Sequence, residues 1–145
     1  MIDYEDKVQV SAIERGALKT ETNWDRYVET GGQLEFIHDG NVVGEPVVGF
    51  VAFRVFPEFV RVDRIAVAPK CQRSGLGGYL LQMVQHRFRQ HLIFVDVASS
   101  NPGLIRFFGR SDFRSLANLS AMKQGRNIAR LCWVPVPTEP TFEVA

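Results

Sequence analysis

Two cysteines, three histidines and the absence of a long apolar run exclude several classes for this 145-residue chain. Cys71 and Cys132 cannot build a disulfide framework or a zinc site, and three scattered histidines do not make a metal centre. No apolar stretch approaches the ~18 residues that span a bilayer. The first residues, Met1-Ile2-Asp3-Tyr4-Glu5-Asp6, are acidic and carry no signal-peptide apolar core, so a cytoplasmic location is expected. Neither sign of charge dominates: 17 basic against 16 acidic residues leave a formal +1. That balance gives no electrostatic case for nucleic acid or an acidic membrane. Hydrophobic residues make up 46% of the chain and charged residues 23%, which suits a packed core and not a disordered tail. Repeats and low-complexity blocks are also missing. One domain is expected over 1–134. An extended tail follows at 135–145, set by the prolines of Val134-Pro135-Val136-Pro137-Thr138-Glu139-Pro140.

Periodicity gives the element order. Val10, Ile13, Ala17 and Leu18 share one helical face. A short helix over 23–30 follows, capped by Thr22 or Asn23 and ended by Gly31-Gly32. Strands are expected over 34–38, 47–56 and 59–67, with a turn at Asp39-Gly40-Asn41 and a bulge at Asp63-Arg64. Leu76, Leu80, Met83, Val84 and Phe88 predict a helix over 75–90. A strand over 92–98, a helix from Asn101-Pro102 to about Gly109, and an antiparallel pair over 113–123 and 128–134 complete the string. The pair would turn at Gly125-Arg126-Asn127. The fold class is α/β, a mixed sheet with helices on both faces.

The chemistry sits where the third strand meets the long helix. A buried strand runs through Cys71-Gln72-Arg73-Ser74-Gly75-Leu76-Gly77-Gly78 into a helix start. The first helical amides have no internal acceptor, and the dipole makes that end positive. Glycines let an anion reach the backbone. Two common phosphate cradles do not fit. A nucleotide P-loop needs Gly-Lys-Ser/Thr, and Tyr79 follows Gly78 here. A dinucleotide fingerprint needs a small residue where Leu80 stands. A glycine-rich turn without a ligand stays open on this feature alone.

Gln72-Arg73-Ser74-Gly75-Leu76-Gly77 fits the pattern Gln/Arg-x-x-Gly-x-Gly/Ala, directly after Arg64-Ile65-Ala66-Val67-Ala68-Pro69. Some thirty residues on stands Asn101-Pro102-Gly103-Leu104-Ile105-Arg106-Phe107-Phe108-Gly109-Arg110-Ser111-Asp112-Phe113-Arg114. Together these segments resemble the GNAT acetyltransferase superfamily. The likeness runs from about residue 34 to 134, is strongest over 62–114, and in motif is nearest to the ribosomal-protein alanine N-acetyltransferases.

The resemblance implies a six-stranded, mostly antiparallel sheet with a splayed strand pair that holds acetyl-CoA. It places the diphosphate on Gln72, Arg73, Ser74, Gly75, Leu76, Gly77 and Gly78. The pantetheine arm lies along Ile65, Ala66 and Val67, and Asn101, Phe107, Phe108 and Arg110 flank its far end. The activity implied is acetyl transfer to a primary amine, either a peptide or protein N-terminus or a small molecule, by direct attack and without a metal. A homodimer would be in keeping with the family. Asp96, just before Ala98-Ser99-Ser100-Asn101, matches the place of a glutamate in the alanine acetyltransferases and is the first candidate base; Asp63 is the second. The chain departs from the pattern at two positions. Phe108 stands where most relatives carry a proton-donating tyrosine, and Asp112 where a glycine is usual. The first departure leaves open a CoA-binding module of weak or no activity. Water, Ser99 or Ser100 as proton donor, and a reaction that runs without an acid, are the other two ways to read it.

Overall fold

A computed structural model describes residues 2–123 and 126–135, with the side chains of 116–123 and 126 outside the description. The expected tail therefore lies almost wholly outside the described residues, as does Gly125 of the last turn.

Helix α1 spans Tyr4–Leu18. The Asp3 side chain caps it by accepting from Glu5 N at 2.9 Å, and Lys19 ends it in a left-handed conformation. Helix α2, Trp24–Glu29, is capped by Asn23, which accepts from Arg26 N at 3.1 Å. Strands β1 (Gly32–His38), β2 (Val47–Val55) and β3 (Phe59–Val67) form an antiparallel meander. A 3₁₀ turn at Pro69–Cys71 leads to α3, Leu76–Arg87, and then to β4, Leu92–Ala98. Helix α4, Pro102–Gly109, and the antiparallel strands β5 (Arg114–Lys123) and β6 (Arg126–Trp133) close the chain. The six strands lie in the order β1-β2-β3-β4-β6-β5, and only β3 and β4 run parallel.

β2 begins at Val47, where the sequence placed it, after a loop over 39–46. Two differences from the sequence reading are local. β1 begins at Gly32, two residues earlier than expected. Helix α3 stops at Arg87, three residues early, because Phe88 leaves helical geometry at φ −114°, ψ 42°.

Each face of the sheet carries its own core. Val51, Phe53, Val60, Val62, Ile93, Val95 and Leu131 pack with Leu80, Leu81 and Val84 of α3 and Phe108 of α4. On the other face Phe50, Ala52 and Ala66 pack with Val10 and Ile13 of α1 and Trp24 of α2. β2 alternates between the two, which explains its near-continuous apolar sequence.

Among the described residues one charged side chain sits inside. Glu14 of α1 is fully buried. Its carboxylate accepts from Thr20 Oγ1 at 3.0 Å, Thr22 N at 2.8 Å and Thr22 Oγ1 at 2.5 Å, with Arg64 Nε 3.6 Å away. A buried carboxylate persists only when it is satisfied in this way, and here it ties the α1–α2 linker to the sheet. Glu14→Ala should cost about 3 kcal/mol in urea denaturation, because several donors lose one acceptor. Glu14→Gln should cost less. A loss below about 1 kcal/mol for the alanine variant would show that Glu14 does not organise the linker.

Candidate active site

The site begins as a gap in the sheet. β3 and β4 pair only from Phe59↔Leu92 to Val62↔Val95. Beyond that point residues 64–67 stay on β2, while Asp96, Val97 and Ala98 stay on β6. The cause is a bulge. Ala52 pairs with Arg64 and Phe53 with Val62, so Asp63 is the extra residue. Such an insertion bends a strand and raises its twist. Ala68 N donates to Val48 O at 2.8 Å, on the β2 side. Alternation along the strand then turns the main-chain polar groups of Ile65 and Val67 to the other edge, into the gap. Gln72 Nε2 reaches Val67 O there, at 3.4 Å.

The loop after β3 supplies one end of this gap. Arg73 (φ 67°) and Gly75 (φ 83°) are both left-handed, and Ser74 Oγ donates to the Cys71 carbonyl. The chain thereby turns into α3 with the Leu76, Gly77 and Gly78 amides in the first turn, where helix geometry offers them no acceptor. A Cβ on Gly77 would stand 3.0 Å from the Phe107 ring, so that glycine lets α3 and α4 close on each other; a Cβ on Gly78 would meet nothing within 4 Å.

A groove of about 710 Å³ runs along these features. Ile65, Ala66 and Val67 form one wall. Gln72, Arg73, Gly75, Leu76, Gly77 and Gly78 form its end, and Phe107 and Arg110 the opposite wall. Two residues singled out from sequence face elsewhere. Ser74 is turned to Cys71, and the Asn101 side chain caps α4 by accepting from Leu104 N at 3.1 Å.

The other end of the gap is lined by charge. A cavity of about 290 Å³ shares Leu18, Ile65 and Leu104 with the groove and is also lined by Asp63, Asp96 and Phe108. A third, of about 340 Å³, shares Asp63, Arg64 and Asp96 with it and adds Thr22, Trp24, Tyr27, Arg54 and Arg61. The structure thus brings the two candidate carboxylates to one place. Asp96 accepts from Arg130 at 2.8 Å (Nε) and 3.1 Å (Nη2), and this pairing raises the Arg130 pKa. Asp63 accepts from Arg61 Nε at 2.7 Å and from Tyr27 Oη at 2.8 Å, with Arg54 Nε 3.7 Å away. Burial, then the bond to Asp63, pushes the Tyr27 phenol far above its usual range, so it remains a donor at any working pH. Phe108 is buried between Phe107 and Phe113 and offers no proton.

Sequence reasoning missed Glu14, Arg61 and Arg64. The bulge at Asp63-Arg64 was the one signal that could have found the arginines. Asp112, the second departure from the motif, sits at φ 67°, the left-handed geometry that glycine adopts without strain. Among the described residues no group of three or more His, Cys, Asp or Glu could hold a metal, and no helix is long and apolar enough to cross a membrane.

Comparison with known proteins adds the following. The sequence profile of the acetyltransferase (GNAT) family matches residues 7–113. No curated protein matches the chain significantly in sequence. Among solved structures, the ribosomal-protein-S18-alanine N-acetyltransferase of Escherichia coli is similar over 97% of this chain and 96% of its own, with a TM-score of 0.73 at 18% identity. A GNAT family acetyltransferase from Elizabethkingia anophelis with acetyl-CoA bound covers 86% of this chain and 89% of its own, TM-score 0.66, 18% identity. A chimera built on the spermidine N-acetyltransferase of Vibrio cholerae covers 92% and 94%, TM-score 0.73, 14% identity.

The loop geometry makes two glycines respond oppositely. Gly75→Ala should destabilise the fold by about 1 kcal/mol, since alanine resists positive φ. Gly78→Ala, inside the helix and unobstructed, should stabilise it by about 0.5–1 kcal/mol. Urea denaturation measures both, and a shared sign would contradict this turn.

Proposed function

The chain belongs to the GNAT acetyltransferase family and is an acyltransferase that uses acetyl-CoA; from that premise we propose that it transfers the acetyl group directly to a primary amine, either a peptide or protein N-terminus or a small molecule. One observation carries the reading: along the open edge of β3, the groove at the α3 amides adjoins a cavity lined by two carboxylates, with Ile65 and Leu104 common to both. Two of the similar structures are named for acetylating amines, the S18 alanine and spermidine.

The residues suit the co-substrate. A diphosphate needs unpaired donors at a positive helix end, and Leu76, Gly77 and Gly78 provide them, with room where Gly78 lacks a Cβ. An amide-bearing arm needs a free strand edge, which Ile65 and Val67 present. Gln72 and Arg73 stand at the phosphate end, Phe107 and Arg110 along the opposite wall. Asn101 acts indirectly, by starting α4. Acetyl-CoA, when bound, supplies the activated thioester carbonyl. The Val67 amide donates to that oxygen's position.

The amine must be neutral to attack. At pH 7 a lysine-type nitrogen costs about 4.6 kcal/mol to deprotonate and a peptide α-amine about 1 kcal/mol. Asp96 takes the proton, directly or through water, while Arg130 fixes the carboxylate plane. Asp63, engaged by Tyr27 and Arg61, is the alternative base. Base catalysis requires the carboxylate form, so activity falls as pH falls through its titration. Asp96→Asn should therefore lower kcat about 100-fold and remove the acidic limb of the pH–rate profile. An unchanged rate and profile would assign the base elsewhere.

Phe108 favours one second reading, a CoA-binding module with weak or no turnover. Without an acid at this position the thiol, near pKa 8.5, departs with no side-chain donor there. Phe108→Tyr should raise kcat about tenfold if departure limits the rate. CoA should raise the melting temperature on either reading. Thiol release with a panel of amines and peptides separates them, and silence across the panel supports the binding module.

A further inference from the structure

We infer that the acceptor carries a carboxylate close to its amine, an inference that rests on the amine-acetylating reading above. Donors and acceptors around the 340 Å³ cavity are unequally used. Both oxygens of Asp63 are engaged, by Arg61 and by Tyr27, and both oxygens of Asp96 by Arg130. Glu14 is closed off by Thr20 and Thr22. Each carboxylate that a polyamine would need is already charge-paired with an arginine of the chain.

The guanidinium groups are not. Arg54 is taken up: Nη1 donates to Thr30 O at 2.7 Å, Nη2 to Thr30 Oγ1 at 2.8 Å, and the group lies 4.5 Å over the Tyr27 ring. Arg61 donates from Nε to Asp63 and lies 5.7 Å over the Phe56 ring, and among the described residues its Nη1 and Nη2 have no hydrogen-bond partner. Arg64 uses Nη1 on the Asp63 carbonyl at 3.0 Å and sets Nε 3.6 Å from Glu14, and among the described residues its Nη2 has no partner. Both side chains are about half-exposed and border the cavity at the mouth of the strand gap. An amine entering the gap trails the rest of its molecule past these two groups. Spare N–H donors on fixed guanidiniums recognise a carboxylate, by charge and by paired hydrogen bonds. The bulge is what aims both residues: Arg61 reaches Asp63 on its own strand, and Arg64 is turned to the same side one residue later.

The carboxylate could belong to a free amino acid or to an acidic residue next to a peptide N-terminus. The test measures thiol release from acetyl-CoA by the full chain with matched acceptors. These are α-amino acids against their carboxamides, alanyl-aspartate peptides against alanyl-asparagine peptides, and spermidine. Carboxylate acceptors should exceed their amide partners about tenfold or more in kcat/KM. In Arg61→Gln and Arg64→Gln that ratio should fall towards one, and in Arg61→Lys it should be intermediate. The ratio is internal to each variant, and retained stabilisation by CoA certifies the fold. A preference confined to the free acids or to the peptides identifies the source and supports the inference either way. Amides or spermidine acetylated as well as the acids, or a ratio unmoved in both glutamine variants, would overturn it while leaving the acetyltransferase reading intact. Stabilisation by CoA with no thiol released by any amine would overturn both.

Discussion

The site depends on an interruption of backbone pairing inside the sheet. β3 and β4 hold each other for four residue pairs and then part, β3 kept by β2 and β4 kept by β6. Main-chain polar groups on such an edge are costly to bury without partners. Residues 65–67 therefore form a strand edge within the molecule that another chain-like amide can complete. The bulge at Asp63 sets where the parting starts, and Gly77 against Phe107 sets how closely α3 and α4 approach the groove. Moving either would shift the glycine loop relative to the carboxylates, although neither feature carries reactive chemistry.

The same bulge organises the acceptor end. In a regular strand consecutive side chains point to opposite faces. Here Asp63 bonds to Tyr27 of α2 and its successor Arg64 reaches Glu14 of α1, on the same face. The extra residue lets neighbours in sequence address two neighbouring helices. Glu14 then fixes Thr20 and Thr22, and with them the linker that borders the acceptor cavities. A buried carboxylate in the first helix, a kinked strand and the cavity wall form one connected network, each part holding the next.

This division explains what could be read from the chain. The co-substrate end is built from main chain, and main-chain geometry leaves local traces. Glycines at 75, 77 and 78, the strand-to-helix change of period and the Asn101-Pro102 helix start are all visible within a few residues. The bulge at Asp63-Arg64 was legible too, as polar residues interrupting an apolar strand. The acceptor end is built from side chains that meet across distance in sequence: Glu14 with Arg64, Tyr27 with Asp63, Asp96 with Arg130. Nothing near Glu14 in the sequence tells a buried carboxylate from the charged residues of a solvated helical face. Asp96 and Asp63 were found as isolated carboxylates; that Asp96 meets Arg130 needed the sheet order, and that Asp63 meets Arg61 needed the side-chain geometry of one strand. Helix α3 ended early for a related reason, since the helical apolar pattern continues through Phe88 while the backbone turns to bring that ring against Phe53 at 5.5 Å.

The groups available for proton transfer bear on the acceptor independently of the arginines. Position 108 offers no acid, and each candidate base is tied to an arginine. A site with so little acid–base assistance favours an acceptor that needs little. Deprotonating a lysine-type or polyamine nitrogen at pH 7 takes about 3.5 kcal/mol more than deprotonating a peptide α-amine, several hundredfold in reactive fraction. The electrostatics of the cavity and the energetics of the nitrogen thus point the same way, against a polycation. They are separable arguments: the first concerns what trails behind the amine, the second the amine itself. Of the two carboxylate sources, the second argument favours a peptide α-amine followed by an acidic residue, because its nitrogen is the one closest to neutral before the protein acts on it.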